Sequence, residues 1–276
     1  MLRGFYTAAS GMLAQQRRTE MLTNNLANAN TPGFKADQSA VRAFPEMLMQ
    51  RMQADMTPTK DGQTARRMIP IGPMNTGVYL QETIPSFNQG DIRSTERSTD
   101  LAIINGTIPT NPETNVQGTL LFAVQGSDGA TRYTRNGNFT IDSQGYLTTN
   151  DGYYVLDDTN NLIQPNSNDF TVDNSGTIST MNGPLATLNM VYAENPMNLV
   201  KEGNGLFRSE QDLPAAINNP DVSFKIQQGA LEQSNVDTGQ TMTNLMTAYR
   251  TFEANQKVIQ AYDRSLEKAV NDIGRV

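Results

Sequence analysis

The sequence predicts an α+β protein in which long N- and C-terminal helices, pairing as a coiled coil, flank a central antiparallel all-β domain. Glycine and proline are both absent from residues 12–31 and 240–273, which permits a long helix at each end. The middle region holds all 13 prolines and short apolar runs of period two. We therefore divide the chain into an N-terminal assembly helix and turn (1–35), a short helix plus extended arm (36–80), a central β domain (81–230) and a C-terminal assembly helix (231–276).

The predicted N-terminal helix has a weak heptad seam. Its apolar members are Leu2, Phe5, Ala9, Met12 and Leu26. Polar residues at 16, 19 and 23 interrupt the seam, so this helix would be marginal in water without a partner. The C-terminal helix, which carries a matching seam, is the simplest partner.

The next segment is predicted as a short helix over residues 40–56. Phe44 and Leu48 would share one side of this helix, and Pro45 suits its first turn. The stretch from Met56 to Tyr79 is rich in Thr, Pro and Gly and indicates an extended arm.

The central region predicts short antiparallel strands separated by turns. The expected strands cover residues 120–124, 133–141, 146–149, 153–156, 170–172 and 185–191. One motif, F-T-[IV]-D-x-x-G-x-[LI], occurs at residues 139–147 and again at 170–178. Its Asp can accept hydrogen bonds from its own turn and its Gly can adopt the left-handed backbone, so each copy predicts a tight hairpin.

The predicted C-terminal helix carries a strict heptad seam. Its members at seven-residue spacing are Leu245, Phe252, Ile259, Leu266 and Ile273. A second row follows three residues after each of the first four members, and it includes Tyr262. Asp237 is a candidate N-cap, and Gly274 a candidate stop. Met242, Met246 and Tyr249 lie off the seam, which indicates neighbours supplied by other subunits.

The composition excludes much of enzyme chemistry. The chain has no cysteine, histidine or tryptophan, so disulfides, cysteine- or histidine-bound metals and histidine-dependent catalysis are excluded. The net charge is −7, and residues 98–200 alone carry −8, which disfavours a nucleic-acid partner. No apolar run could span a bilayer, and the first residues do not form a convincing cleavable signal peptide. We expect no catalytic residue, cofactor, metal or membrane insertion.

The acidic residues of the middle region leave one rival class open. Residues 157–161 resemble a calcium loop superficially but lack its twelve-residue spacing. Asp142, Asp151 and Asp173 could supply a carboxylate pair to a secreted carbohydrate-active β protein. Each of them sits in a turn signature that explains its presence locally, so we favour a non-enzymatic protein.

Motifs at both ends resemble a known family. The N-terminal signature comprises Asn24, Asn25, Leu26, Ala27, Asn28, Asn30, Thr31, Pro32, Gly33 and Phe34, and residues 228–237 and 248–255 form its C-terminal counterpart. Together with residues 121–147, these segments resemble the rod and hook family of bacterial flagellar axial proteins, distal-rod type, and the length suits a rod protein better than the usually longer hook protein. Residues 103–118 depart from the family pattern, which leaves the proximal or distal position open.

The resemblance implies a structural subunit of the flagellar basal-body rod in the bacterial cell envelope. Its partners would be copies of itself in a hollow helical polymer, other rod and hook subunits, and the flagellar type III apparatus, which exports subunits without signal cleavage. Phe44 and Leu48 are similar to the family's short export signal. A hook or hook-junction subunit is the alternative within this class.

Overall fold

The computed structural model describes residues 2–53, 67–112, 116–126 and 128–273 and confirms an α+β fold with antiparallel strands between two helices. The helices are α1 (Leu2–Ala27) and α2 (Thr238–Ile273). The strands are β1 (Asp37–Ala43), β2 (Met47–Gln53), β3 (Arg67–Met74), β4 (Val78–Pro85), β5 (Ile92–Ser94), β6 (Leu101–Asn105), β7 (Thr119–Gln125), β8 (Thr131–Thr134), β9 (Phe139–Ile141), β10 (Leu147–Thr149), β11 (Tyr154–Val155), β12 (Thr171–Val172), β13 (Thr177–Thr180), β14 (Gly183–Thr187), β15 (Met190–Ala193), β16 (Val200–Gly203), β17 (Leu206–Arg208), β18 (Phe224–Gln228) and β19 (Ala230–Glu232).

The chain divides into two compact units. The first unit comprises Met1–Asn24, Gln38–Ile84 and Gly239–Val276, and it therefore holds most of both helices and the strands β1 to β4. The second unit comprises Asn25–Asp37 and Pro85–Thr238 and holds the remaining strands.

The short helix predicted over residues 40–56 is wrong in its described part, because residues 40–43 belong to β1 and residues 47–53 form β2. β1 pairs with β4, and β2 pairs with β3 along its whole length. The spacing of apolar residues fitted a helix, but pairing with a segment farther along the chain overrides such local preferences. Residues 54–66, which hold the end of the predicted helix and the beginning of the predicted arm, lie outside the described residues, and part of the remaining arm forms β3 and β4.

The second unit is organised around β7. The sheet order is β16-β17-β8-β7-β11-β10-β9, and β15 also pairs with β7. Leu120, Phe122 and Val124 of β7 enter one core cluster, whereas Leu121 and Ala123 enter another. Both faces of this strand are therefore buried, which explains its continuous apolar sequence.

The repeated hairpin motif is confirmed in both copies. The Asp142 carboxylate accepts hydrogen bonds from the Gln144 and Tyr146 N–H groups, and Gly145 adopts a φ of +89°. Asp173 accepts from Ser175 and Thr177 in the same way. The predicted strand 133–141 is interrupted, because β8 ends at Thr134 and β9 begins at Phe139; strand 185–191 is likewise split into β14 and β15.

Residues 103–118, the segment that departs from the family pattern, contribute to this core. β6 pairs with β18, so that Ile103 faces Ile226 in the ladder. Ile108, in the loop that follows, is buried in the cluster around β7. The described part of this segment therefore packs into the core of the β domain. Residues 113–115 lie outside the described residues.

Candidate functional site

The N-terminal signature forms the end of α1 and a turn. The Thr31 N–H donates to the Asn28 carbonyl oxygen over 3.1 Å. Asn25 is buried; its amide oxygen accepts from the Asp37 N–H (2.9 Å), and its amide nitrogen donates to the Asp37 carbonyl oxygen (2.8 Å). This arrangement uses both halves of a side-chain amide, which explains the choice of asparagine at this position.

Gly33 brings the signature against the β domain. Its φ is +68°, a backbone conformation that glycine adopts without steric cost. A Cβ at this position would lie 2.6 Å from the Arg135 carbonyl carbon and from the Asn136 nitrogen. The Gly33 N–H donates to the Glu232 carbonyl oxygen over 2.8 Å. The turn therefore requires glycine for its conformation and for its close contact.

Three charged side chains meet in the interior of the second unit, and we call them the charged triad. Lys35, Arg135 and Glu232 each expose 2 % or less of the side chain. Lys35 Nζ lies 2.6 Å from Glu232 Oε1, and Arg135 Nε lies 2.5 Å from Glu232 Oε2. The triad therefore joins the N-terminal signature, the end of β8 and the C-terminal signature.

Backbone and amide groups complete the hydrogen bonding of the triad. Lys35 Nζ donates to the Asn88 carbonyl oxygen, the Gly90 N–H donates to Glu232 Oε1, and the Arg135 guanidinium donates to Leu120, Ile103 and Asn105 oxygens. One carboxylate nevertheless faces two cations. Buried charges are costly unless paired, so the triad depends strongly on Glu232.

Burial and mutual attraction set the ionisation of the triad. Burial lowers the pKa of Lys35 to about 8, with Glu232 opposing this shift and Arg135 adding to it. Burial alone would raise the pKa of Glu232, but the Arg135 and Lys35 charges outweigh it and hold that pKa below its usual value. Burial also lowers the pKa of Arg135, again opposed by Glu232. Burial thus brings the pKa of Lys35 closer to neutral pH.

Asn235, in the C-terminal signature, also bonds to the segments that hold the charged triad. Its amide nitrogen donates to the Ser86 and Asn88 carbonyl oxygens, and its amide oxygen accepts from the Ala36 N–H over 2.7 Å. α2 begins three residues later. We call the charged triad together with Asn25, Gly33 and Asn235 the junction network.

The shielded side of α2 coincides with its predicted seam. Ala248 is 1 % exposed. The half-buried residues follow at alternating spacings of three and four: Leu245, Phe252, Asn255, Ile259, Tyr262, Leu266 and Ala269. The Ile273 side chain lies outside the described residues. Such a stripe, with a period near 3.5, is typical of a helix that packs along its length against another.

The most buried side chains of α1 lie beside its predicted seam rather than on it. They belong to Ala8, Ala14, Leu22 and Asn25. The predicted residues Phe5, Met12 and Leu26 are half-buried, and the Leu2 side chain lies outside the described residues.

Two glycines of α1 contact α2 directly. A Cβ on Gly4 would overlap the Tyr262 hydroxyl, and a Cβ on Gly11 would lie 3.0 Å from Asn255 Nδ2. Gly11 lies seven residues after Gly4, whereas its partner Asn255 lies seven residues before Tyr262, the partner of Gly4. The two helices therefore run antiparallel here. Gly4 and Gly11 are not among the predicted seam residues, because apolar side chains define a heptad seam, although the seven-residue spacing of the two glycines is itself a signal in the sequence.

Three family models match the segments just described. A model described as flagella basal body rod protein matches residues 5–35. The D1 domain of the flagellar hook protein FlgE/F/G matches residues 115–180, and the C-terminal part of the flagellar basal body rod FlgEFG protein matches residues 227–272. Lys35, Arg135 and Glu232 fall one in each match.

Whole-length relatives agree with these models. The flagellar hook-basal body complex protein FlhO of Bacillus subtilis is 45 % identical over 278 residues, which cover 100 % of both chains. The flagellar basal-body rod protein FlgG of Borreliella burgdorferi is 34 % identical over 286 residues, covering 98 % of each chain. The chain belongs to the flagellar basal-body rod protein family. Membership places it among the structural proteins of the flagellar rod.

The residues predicted as an export signal in this rod-family chain do not share a helix. Phe44 lies between β1 and β2, is 40 % exposed and places its ring 5.2 Å from that of Tyr79. Leu48 belongs to β2, and its side chain lies outside the described residues. The predicted helical spacing of the two residues is therefore wrong, and their role in export stays a prediction.

Asp142, Asp157 and Asp173 of this rod-family chain accept hydrogen bonds within their own turns. Asp157 accepts hydrogen bonds from the Thr159 and Asn161 N–H groups, which accounts for the loop that resembled a calcium site. In the described part of the chain, no three acidic, histidine or cysteine side chains are grouped so that they could hold a metal ion. None of the described helices combines the length and apolar character needed to cross a membrane.

Proposed function

We propose that this rod-family chain polymerises helically through its terminal helices and so builds the hollow basal-body rod that acts as the drive shaft for motility. The observation that carries the proposal is an uncovered apolar stripe on α2. Met242, Met246 and Tyr249 follow helical spacing and are 46 %, 49 % and 53 % exposed, although the adjacent seam is shielded. A second apolar stripe of this kind needs a further partner, which neighbouring copies supply.

Coiled-coil pairing of α1 with α2 is part of this proposal. The glycine contacts and the shielded stripe on α2 support it, because close antiparallel packing places small residues opposite large ones. Repeated contacts between non-equivalent surfaces generate an open helical polymer rather than a closed ring. The assembly surface comprises Leu2, Phe5, Met12, Leu26, Leu245, Phe252, Ile259, Tyr262, Leu266 and Ile273.

Export and location complete the proposal. The chain leaves the cell through the flagellar type III apparatus without signal cleavage, with Phe44 and Leu48 as its short export signal, and it joins other rod and hook subunits in the basal body. Because the chain has no cysteine, it cannot form a wrong disulfide during transit. It acts as a non-enzymatic structural subunit, without a cofactor.

The first test replaces Ile259 by aspartate. A charge within the seam of α2 should abolish rod assembly and motility, because it would be buried without a partner in the packed helices. The variant should keep a protease-resistant β domain, measured by limited proteolysis and fragment mass. Gln260→Asp, on the exposed side of the same turn, is the matched control and should assemble. Normal assembly of Ile259→Asp would refute the seam.

The second test examines helix pairing through Gly4. Gly4→Ala should weaken the α1–α2 contact by about 1 kcal/mol at most, because its methyl group overlaps the Tyr262 hydroxyl and displaces that side chain, while alanine favours the helix by a comparable amount. Tyr262→Phe removes that hydroxyl, so it should recover part of the loss in the double variant. A double-mutant cycle on helix content and assembly measures this coupling. Purely additive effects would contradict the pairing.

A hook or hook-junction subunit stays the alternative, because the model that matches residues 115–180 is named for the flagellar hook protein FlgE together with F and G. Immunogold labelling of isolated hook-basal bodies separates the two. Label confined to the shaft below the hook supports the rod, whereas label on the curved hook or at its distal end supports the alternative.

A further inference from the structure

Two methionines of α2 are accessible to small solutes in the single chain. Met242 and Met246 are 46 % and 49 % exposed, and their four-residue spacing places them on one face of the helix. Met190, in contrast, is fully buried in the core cluster around β7. Because the chain has no cysteine, the thioether sulfur of an accessible methionine is its most readily oxidised group.

Hydrogen peroxide, the simplest hydroperoxide, oxidises such a sulfur directly. The sulfur lone pair attacks one peroxide oxygen, so that an S–O bond forms while the O–O bond breaks. The proton of the transferred hydroxyl passes to the departing hydroxide, which leaves as water. The sulfur is oxidised, the peroxide is reduced, and the product is methionine sulfoxide.

The stretch of α2 around these methionines offers a partner apolar area rather than charge. No charged residue occurs from Thr238 to Tyr249. The Thr243 and Thr247 hydroxyls donate to the carbonyl oxygens of Gly239 and Thr243, so their donors are used within the helix itself. A contact on this face therefore gains mainly from the burial of apolar side chains.

A sulfoxide on this face would remove that gain. Its oxygen is a strong hydrogen-bond acceptor, and burying it in a contact without a donor costs free energy. Oxidation also converts the flexible apolar side chain into a polar one, which disrupts interfaces built on methionine. The chain itself should keep its fold, because about half of the Met242 and Met246 side chains already lies in water.

We propose that Met242 and Met246 form a peroxide-sensitive modification site that excludes oxidised chains from the rod. This inference rests on the proposed function, because it requires that neighbouring copies cover this face of α2. A hydroperoxide modifies the two methionines while the chain is free, and the sulfoxides stop the chain from joining the polymer. Polymerisation covers both sulfur atoms and so protects them from oxidation.

The test compares the purified full-length chain before and after treatment with hydrogen peroxide, which is then removed. Peptide mass spectrometry locates the added oxygen atoms, and sedimentation with electron microscopy measures polymer. The oxidised wild type should polymerise about tenfold more slowly, with unchanged helix content in circular dichroism, and methionine sulfoxide reductase should restore assembly. Full polymerisation of chains that carry both sulfoxides would overturn the inference.

Leucine substitutions identify the methionines responsible. The double variant Met242→Leu/Met246→Leu keeps an apolar face without sulfur, so peroxide should not change its polymerisation. Met181→Leu/Met197→Leu is the matched control, because these methionines are 91 % and 50 % exposed but belong to the second unit. Peroxide should slow this control as it slows the wild type. Equal sensitivity of the two variants would contradict the proposed site.

Peroxide added after assembly supplies a second readout. Met242 and Met246 in the polymer should oxidise about tenfold more slowly than in the free chain, because oxidation follows exposure. Equal rates in polymer and free chain would overturn the modification site and leave the proposed function standing, since the polymer would still have formed. Failure of the untreated wild type to polymerise would overturn both.

Discussion

Replacing Glu232 by glutamine should lower the free energy of unfolding by about 3–5 kcal/mol, because it leaves two buried cations without their carboxylate. Lys35 and Arg135 would keep only carbonyl and amide oxygens as partners. Urea unfolding followed by tyrosine fluorescence measures the change, since the chain has nine tyrosines and no tryptophan. Loss of rod assembly should accompany it, because the triad joins the segments next to both helices.

The matched control for this change is Glu202→Gln. Glu202 also pairs with two arginines, Arg132 and Arg208, but its side chain is 30 % exposed. Exposed ion pairs contribute about 0–1 kcal/mol, so this variant should differ little from the wild type. If Glu232→Gln and Glu202→Gln lower the free energy of unfolding by the same amount, burial of the triad would not be the reason for its contribution to stability.

A double variant separates the two cations. Lys35→Met in the Glu232→Gln background removes one unpaired charge and should recover part of the lost stability, with a coupling of about 1 kcal/mol or more. Additivity of the two substitutions would show that Lys35 and Glu232 do not interact as their 2.6 Å separation requires.

Local patterns predicted those parts of the fold that local physics decides. The seam of α2 follows from a heptad repeat that any window of the helix contains. The turns at Asp142 and Asp173 follow from a side chain that bonds to backbone groups only two to four residues away. In both cases the interacting residues are neighbours in sequence, so their spacing is itself the signal.

The junction network could not be predicted in this way. Lys35 and Glu232 are 197 residues apart, and nothing near either residue marks the other. The same limit explains the error at residues 40–56, whose apolar spacing fits a helix although β2 finds its partner strand beyond residue 66. The family resemblance located the correct end segments without indicating that a buried charge joins them.

The burial of Lys35 also predicts an unusual dependence of stability on pH. The pKa of this lysine is about 8 in the folded protein, against an ordinary value of 10.5. Below about pH 8 both states hold the proton, and the cost of burying the ammonium is fully present. Between these two values the folded state releases the proton while the unfolded state keeps it, so stability rises with pH through this window.

The measurement compares the wild type with Lys35→Met at pH 7 and pH 10. From pH 7 to pH 10 the wild type should gain about 2–3 kcal/mol in unfolding free energy relative to the variant, since methionine has no proton to release. Comparing the two proteins cancels the titration of tyrosines, which both contain. Lys201→Met is the control for removing a lysine charge from the second unit, because Lys201 pairs with Asp37 while 25 % exposed. A constant difference between wild type and Lys35→Met would mean that the Lys35 ammonium is not held in a dry interior.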